Sequence, residues 1–314
     1  MRKIIICIIN VFFKLYSEDA AESKKMPIGG QAVIEGVLMK GPKRWGLAIR
    51  KPEGDIYHET WENKPWAEKA PWKYPLIRGV VTLINMMSTG IRALNRSAEI
   101  ALGEQEKLTK KDFFLAIAVA IFAVVGLFIA LPLWISDLCV KFFGFSAVHK
   151  NIAEGIARGL IFIGYVALIG LWSDIKQVFR YHGAEHKTIN AFESEAVELT
   201  PEEVAKYSRI HPRCGTSFLL VVIVVSIIVF SIAGHGSLLW RVTSRVVLLP
   251  IVMGISYEII KGASKMGIFG VIIMYPMMLL QYLTTCEPDL KQLEVSIHSL
   301  EVALGKDSEA CVNK

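Results

Sequence analysis

His182, Glu185 and His186 are the residues whose types and spacing most directly suggest chemistry. They lie in Arg180-Tyr181-His182-Gly183-Ala184-Glu185-His186-Lys187-Thr188. On a helix, two histidines four apart share one face and can bind one metal ion. A glutamate in the H-x-x-E-H order can act on water as a general base. Neutral imidazole nitrogen suits a divalent transition metal, zinc first, with Fe, Ni and Cu also accommodated. Gly183 works against the helix by about 1 kcal/mol relative to Ala. The plainer alternative is a solvated helix start at a membrane surface, with both imidazoles meeting lipid headgroups.

A third ligand is required, and three residues are placed to supply it. Glu258 lies in an otherwise apolar run beside Tyr257, where an acid is functional or paired; Lys261, three residues on, is the obvious partner. His211 precedes Cys214 in His211-Pro212-Arg213-Cys214-Gly215-Thr216, a spacing that suits a tight turn or one helical face. The same stretch also reads as a helix start, with Pro212 fixing the turn, Arg213 reaching phosphates, and Thr216 or Ser217 as cap. Glu193 follows further along the helix of His182 and His186. Arg213 or Lys187 could hold an anionic substrate group. In the glycine-punctuated run Gly29–Pro42, Gln31 and Glu35 lie four apart. That run matches no nucleotide-binding loop, and a buried turn docking a hairpin is an equal reading.

These residues need elements to position them, and the composition indicates a membrane. The chain has 314 residues, 53% of them hydrophobic and 20% charged, with a net charge of +6. Mean hydropathy is +0.43. The apolar excess is clustered, which excludes disordered, collagen-like, disulfide-scaffold and coiled-coil classes. Residues 113–135 carry no charge and are long enough to span. Further spans are expected at 152–173, 216–234 and from near Leu238 to Ile260. Glu154 and Arg158 sit i,i+4 in the second, and Arg241 and Arg245 interrupt the start of the fourth. A fifth apolar stretch, 267–285, is broken by Pro276 and could span or re-enter. Residues 1–111 carry 19 Lys+Arg, which places them in the cytoplasm of a multi-pass cell-membrane protein. The segment 174–214 is then cytoplasmic too, while Arg241 and Arg245 would face outward, against the charge rule.

The expected fold is mostly α, a polytopic helical bundle of about four spans plus the ambiguous stretch, with a small cytoplasmic α+β lobe. Strands at 45–51 and 56–61 flank the turn Pro52-Glu53-Gly54-Asp55. An amphipathic helix follows at 75–101, with Leu76, Val80, Leu83, Met87 and Ile91 near one face. The chain divides into an extension or interfacial anchor (1–26), the lobe (27–110), the transmembrane region (111–285) and a tail (286–314). In that tail, helix 290–304 packs back on the lobe. Five scattered cysteines, none as C-x-x-C, fit a reducing compartment better than disulfides. The bilayer and a membrane-protein partner are the expected partners. Nucleic acid is not, because no basic stripe is interleaved with aromatics.

Five ordered motifs carry a resemblance. They are Gly29–Val37, Tyr181–Lys187, His211–Phe218, Ser256-Tyr257-Glu258 and Leu283-Thr284-Thr285-Cys286-Glu287-Pro288. Together they resemble the YqhQ-like bacterial membrane proteins over about Pro27 to Leu304. The resemblance implies a multi-pass membrane protein of a family often labelled predicted metal-dependent enzymes. It places the site at His182, Glu185, His186, His211, Cys214 and Glu258. The leading expectation is a metal-dependent hydrolase at the inner membrane face. Its rival is a non-enzymatic factor for membrane-protein insertion, assembly or transport, with the same residues forming a buried polar network.

Overall fold

The computed structural model describes residues 28–64, 70–102, 110–144, 147–196, 198–212, 214–234, 236–263, 266 and 268–305. The anchor expected at 1–26 and Arg213 lie outside the described residues. An antiparallel sheet opens the described chain, in the order β1 (Gly29–Val33), β2 (Gly36–Lys40), β3 (Arg44–Arg50) and β4 (Ile56–Glu62). The two later strands match the expected pair within a residue. The two earlier ones occupy the glycine-punctuated run. Its glycines allow close packing rather than turns: a Cβ on Gly36 or Gly41 would lie 2.3 Å or 2.2 Å from the backbone packed against it. The β1–β2 turn centres on Ile34-Glu35, with Glu35 in left-handed backbone at φ 50°.

Side chains alternate across this sheet. Val33, Leu38, Trp45, Leu47, Ile49 and Trp61 face one way, with Ala93 of helix α1 (Ile77–Leu102). Val37, Met39 and Ala48 face the other, with Tyr181 and Ile189 of α5 (Ser173–Glu193) and Val295, Leu300 and Ala303 of the C-terminal helix (Leu290–Leu304). That last helix begins with a capping box, in which Asp289 and Gln292 satisfy each other's backbone N–H groups. The sheet is therefore a layer between α1 and two later helices.

Among the described residues, the apolar runs form four helices long and apolar enough to cross a membrane, over Ile117–Phe143, His149–Ile169, Gly215–Ala233 and Leu239–Ala263. The first comprises α2 (Lys110–Val125), a π-helical turn (Gly126–Ala130) and α3 (Leu131–Phe143). Pro132 lacks an N–H, so the carbonyl four residues back, on Phe128, loses its helical partner. Arg158 Nε donates to that carbonyl at 3.0 Å. The other long helices are α4 (Ala147–Ile169), α7 (Gly215–Ala233) and α8 (Leu238–Ala263), with the single turn α6 (Pro201–Val204) before α7.

Two acids within these helices are paired with arginines. Glu154 accepts from Arg158 at 2.7 Å and from Arg245 at 2.6 Å. Arg241 forms two 2.9 Å bonds to Asp137. The two arginines that counted against the expected topology are thus ligated by acids of neighbouring helices, and they do not behave as loop charges.

The fifth apolar stretch yields α9 (Ile268–Met278), followed by α10 (Gln281–Thr284) and the C-terminal helix, α11. At about 1.5 Å per residue, α9 is about 16 Å long, half a hydrocarbon core. The chain before the first long helix, the segment between the second and third, and the tail after the fourth all pack on the same sheet.

Candidate functional site

Helix α5 carries the H-x-x-E-H residues, and its placement explains Gly183. A Cβ there would lie 2.1 Å from the Cys286 carbonyl oxygen, so the helix needs a residue without one. Cys286 itself donates its backbone N–H to the Phe179 carbonyl at 2.8 Å. The segment Thr284-Thr285-Cys286 therefore runs directly against the face that bears His182.

His182 donates Nδ1–H to the Thr284 carbonyl at 2.8 Å, which turns its Nε2 lone pair toward Cys214 Sγ at 3.3 Å. His186 donates Nδ1–H to the Arg209 carbonyl at 2.6 Å. Its Nε2 is buried and has no hydrogen-bond partner. Carbonyl acceptors behind both rings fix one tautomer in each, the arrangement that metal-binding histidines use. One ring nitrogen from each histidine and Cys214 Sγ all lie within 4.8 Å of one another. A tetrahedral zinc with bonds of about 2.0–2.3 Å holds such donors about 3.3–3.7 Å apart, so a modest contraction suffices.

Cys214 is the N-cap of α7, and its sulfur accepts from the Thr216 N–H at 3.4 Å. The cap is thus the cysteine and not the expected Thr216 or Ser217. The positive end of a 19-residue helix faces the sulfur. The Thr216 hydroxyl also reaches it, at 3.1 Å.

Glu185 is buried on the same helix. A Cβ at Gly30 would lie 2.9 Å from its Oε1, so a glycine in β1 makes room for the carboxylate. Its Oε2 is buried without a hydrogen-bond partner. Burial pushes the carboxyl up to about 7, against the opposing pull of His182 and a bond from the Gly30 backbone. A carboxyl titrating near neutrality suits general-base work. Burial likewise holds the His186 imidazole below the usual histidine range, opposed by Cys214.

The other expected residues are placed around this group or away from it. His211 stands one ring beyond His186, with centroids 5.8 Å apart, and its Nε2 is 3.6 Å from Glu193. Neither joins the three-donor group. Gln281 clamps the His211 backbone from both sides, accepting its N–H and donating to its carbonyl, each at 2.8 Å. Glu258 is engaged elsewhere, by Arg78 at the start of α1, with Nε at 2.7 Å and a second bond at 2.5 Å. The sequence pointed only to Lys261 as its partner; this arginine lies far away in sequence.

Lys187 ties neighbouring segments together. Its Nζ donates to the Ala205 and Tyr207 carbonyls at 2.8 Å each and pairs with Glu287 at 3.0 Å. Glu35 accepts from the Tyr181 hydroxyl at 3.1 Å and from Gln177 at 3.4 Å, docking the hairpin one residue before His182. Gln31 packs where a Cβ on Gly90 would stand 2.3 Å from its Oε1. Sequence reasoning gave no role to Gln281, Gly30 or the Arg209 carbonyl. The lone glutamine in an apolar stretch was the available signal for Gln281.

Comparison with known proteins adds a family. The family described as "Protein of unknown function (DUF1385)" matches residues 74–306. The "Uncharacterized protein YqhQ" of Bacillus subtilis (strain 168) is 33% identical over 294 residues, covering 88% of this chain and 92% of the relative. No solved structure matches the chain.

Proposed function

The chain belongs to the DUF1385 family, and on that premise we propose that it is a multi-pass cell-membrane protein with a transition-metal centre, acting as a metal-dependent hydrolase. His182, His186 and Cys214 would hold the metal. The observation that carries this reading is the convergence of two tautomer-fixed imidazoles and a thiol within 4.8 Å, one Nε2 being buried without a partner. Two nitrogens and a sulfur suit zinc, and three protein ligands leave a fourth position open, as in catalytic sites. The bound ion would supply Lewis acidity. Glu185 would take a proton from water and return it to the leaving group. His211 and Glu193, one layer out, would orient His186.

Four membrane-length helices support the membrane reading. An even number of crossings returns the lobe, α5 and α11 to one side, in keeping with their packing on one sheet. The 19 Lys+Arg before the first span favour the cytoplasm for that side, with the N-terminus inside.

A second reading has its own support. Gln281, Lys187, Arg209 and Glu287 tie the tail to the 205–211 segment, so the same residues could serve as a polar lock in a non-enzymatic membrane factor for insertion, assembly or transport. Metal analysis joined to Glu185→Gln separates the two. A metal-loaded, folded Glu185→Gln protein that fails to complement in vivo supports the enzyme. A metal-free wild type co-purifying with a stoichiometric membrane protein supports the factor.

A further inference from the structure

Helix α1 carries an apolar flank that neither the site nor the sheet uses. Its inner face is accounted for: Gly90 accepts Gln31, Ala93 joins the sheet core, and Ser97 Oγ accepts the Ile34 N–H at 3.2 Å. One side is polar, with Arg92 stacked 4.4 Å over Trp61 and Arg96 paired with Glu59 at 3.2 Å. The other side presents Ile77, Ile84, Met87, Ile91 and Leu94, which are 42–60% exposed. Their spacing keeps them on one stripe of about 26 Å, with no charged residue among them. A stripe of that size is covered by something in the functional protein.

We propose that this flank of α1 is a lipid-docking surface that lies in the inner boundary of the bilayer. The proposal rests on the membrane reading above. The start of α1 is tied to that boundary: Leu76 packs backbone to backbone on Gly254, Gly79 lies against Tyr257, and Arg78 pairs with Glu258, all on the last part of α8. α1 ends at Leu102, eight positions before Lys110, where α2 leads into the first long helix. Trp72 and Tyr74, 47% and 51% exposed just before α1, are the amphipathic aromatics that favour a membrane interface. A helix with one apolar and one arginine-bearing flank, held at its start against a membrane-crossing helix, has the form of an interfacial helix.

The test uses full-length protein in nanodiscs of phosphatidylethanolamine and phosphatidylglycerol. The photo-crosslinking residue p-benzoylphenylalanine is placed singly at Ile84, Met87 or Ile91. The same probe at Val224, 45% exposed on α7, reports on the membrane reading itself, and at Arg92 on the polar flank. Mass spectrometry after irradiation identifies the adduct. The expected result is a phospholipid adduct at Ile84, Met87, Ile91 and Val224, with none at Arg92. Lipid at Val224 combined with a crosslinked dimer, an adduct to residues 1–26, or no adduct at the three α1 positions overturns the docking surface alone. Lipid at none of the positions overturns the membrane reading with it.

Discussion

Glu258 looked like a metal ligand in the sequence, yet its carboxylate is occupied by Arg78, and the consequence is measurable. The pair is bidentate, with bonds of 2.7 Å and 2.5 Å, and side-chain exposures are 12% for Arg78 and 4% for Glu258. Removing one partner of a buried pair leaves an uncompensated charge and destabilises by about 3–5 kcal/mol. Replacing both partners with apolar residues of similar volume is often close to neutral. Arg78→Met should therefore lower the melting temperature by roughly 10 °C, taking about 2–4 °C per kcal/mol for a domain of this size. Arg78→Met combined with Glu258→Leu should recover most of that loss. Thermal unfolding of wild type, both single variants and the double variant in one detergent gives the coupling directly. Metal content of the same samples should be equal across all folded variants. Additive losses, or loss of metal only in the variants lacking Glu258, would show that the carboxylate works somewhere other than the Arg78 pair.

Three further expectations follow from the same contacts. Gly183→Ala gains helix propensity in isolation but drives a Cβ to 2.1 Å from the Cys286 carbonyl, so it should destabilise by about 1–3 kcal/mol and lower metal affinity; an unchanged melting temperature would refute the packing. Burial raises the folded Glu185 carboxyl from 4.5 to about 7, so its contribution to the stability of the metal-free protein is full below pH 4.5 and is lost as pH rises through 7, about 3 kcal/mol in all. Glu185→Gln should flatten that fall, and equal pH profiles for the two proteins would contradict it. Glu59 behaves in the opposite sense: bonds from Trp61, Tyr57 and Arg96 outweigh burial and hold it below 4.5, so its contribution is present above that pH and is lost on acidification. Glu59→Gln should make the acid limb shallower, as read by tryptophan fluorescence.

The long-period features were legible because a single physical signal defined each one. Long apolar runs gave the four membrane-length helices, the 3.6-residue period gave α1 and α11, and Pro-x-Gly gave the β3–β4 turn. The β1–β2 hairpin was hidden because its glycines, legible as sites of close backbone approach, carry no strand signal of their own; Gly36 lets β2 lie directly against β3. At the site, the i,i+4 histidines were visible because both donors lie on one helix. Cys214 was visible only as an ambiguous turn residue, since its partnership with His182 depends on how α7 meets α5. Glu258 misled for the same reason in reverse: its true partner, Arg78, lies 180 positions away. Gly30 and Gln281 act through space and backbone, which residue type alone does not announce.

The central claim is that His182, His186 and Cys214 hold one metal ion, and elemental analysis of purified full-length protein measures that most directly. Wild type is expected to carry about one transition-metal ion per chain, zinc above others. His182→Ala and Cys214→Ser, checked for folding by thermal unfolding, are expected to carry close to none. Wild type purified without chelator and holding no stoichiometric transition metal, even after incubation with zinc, would contradict the account.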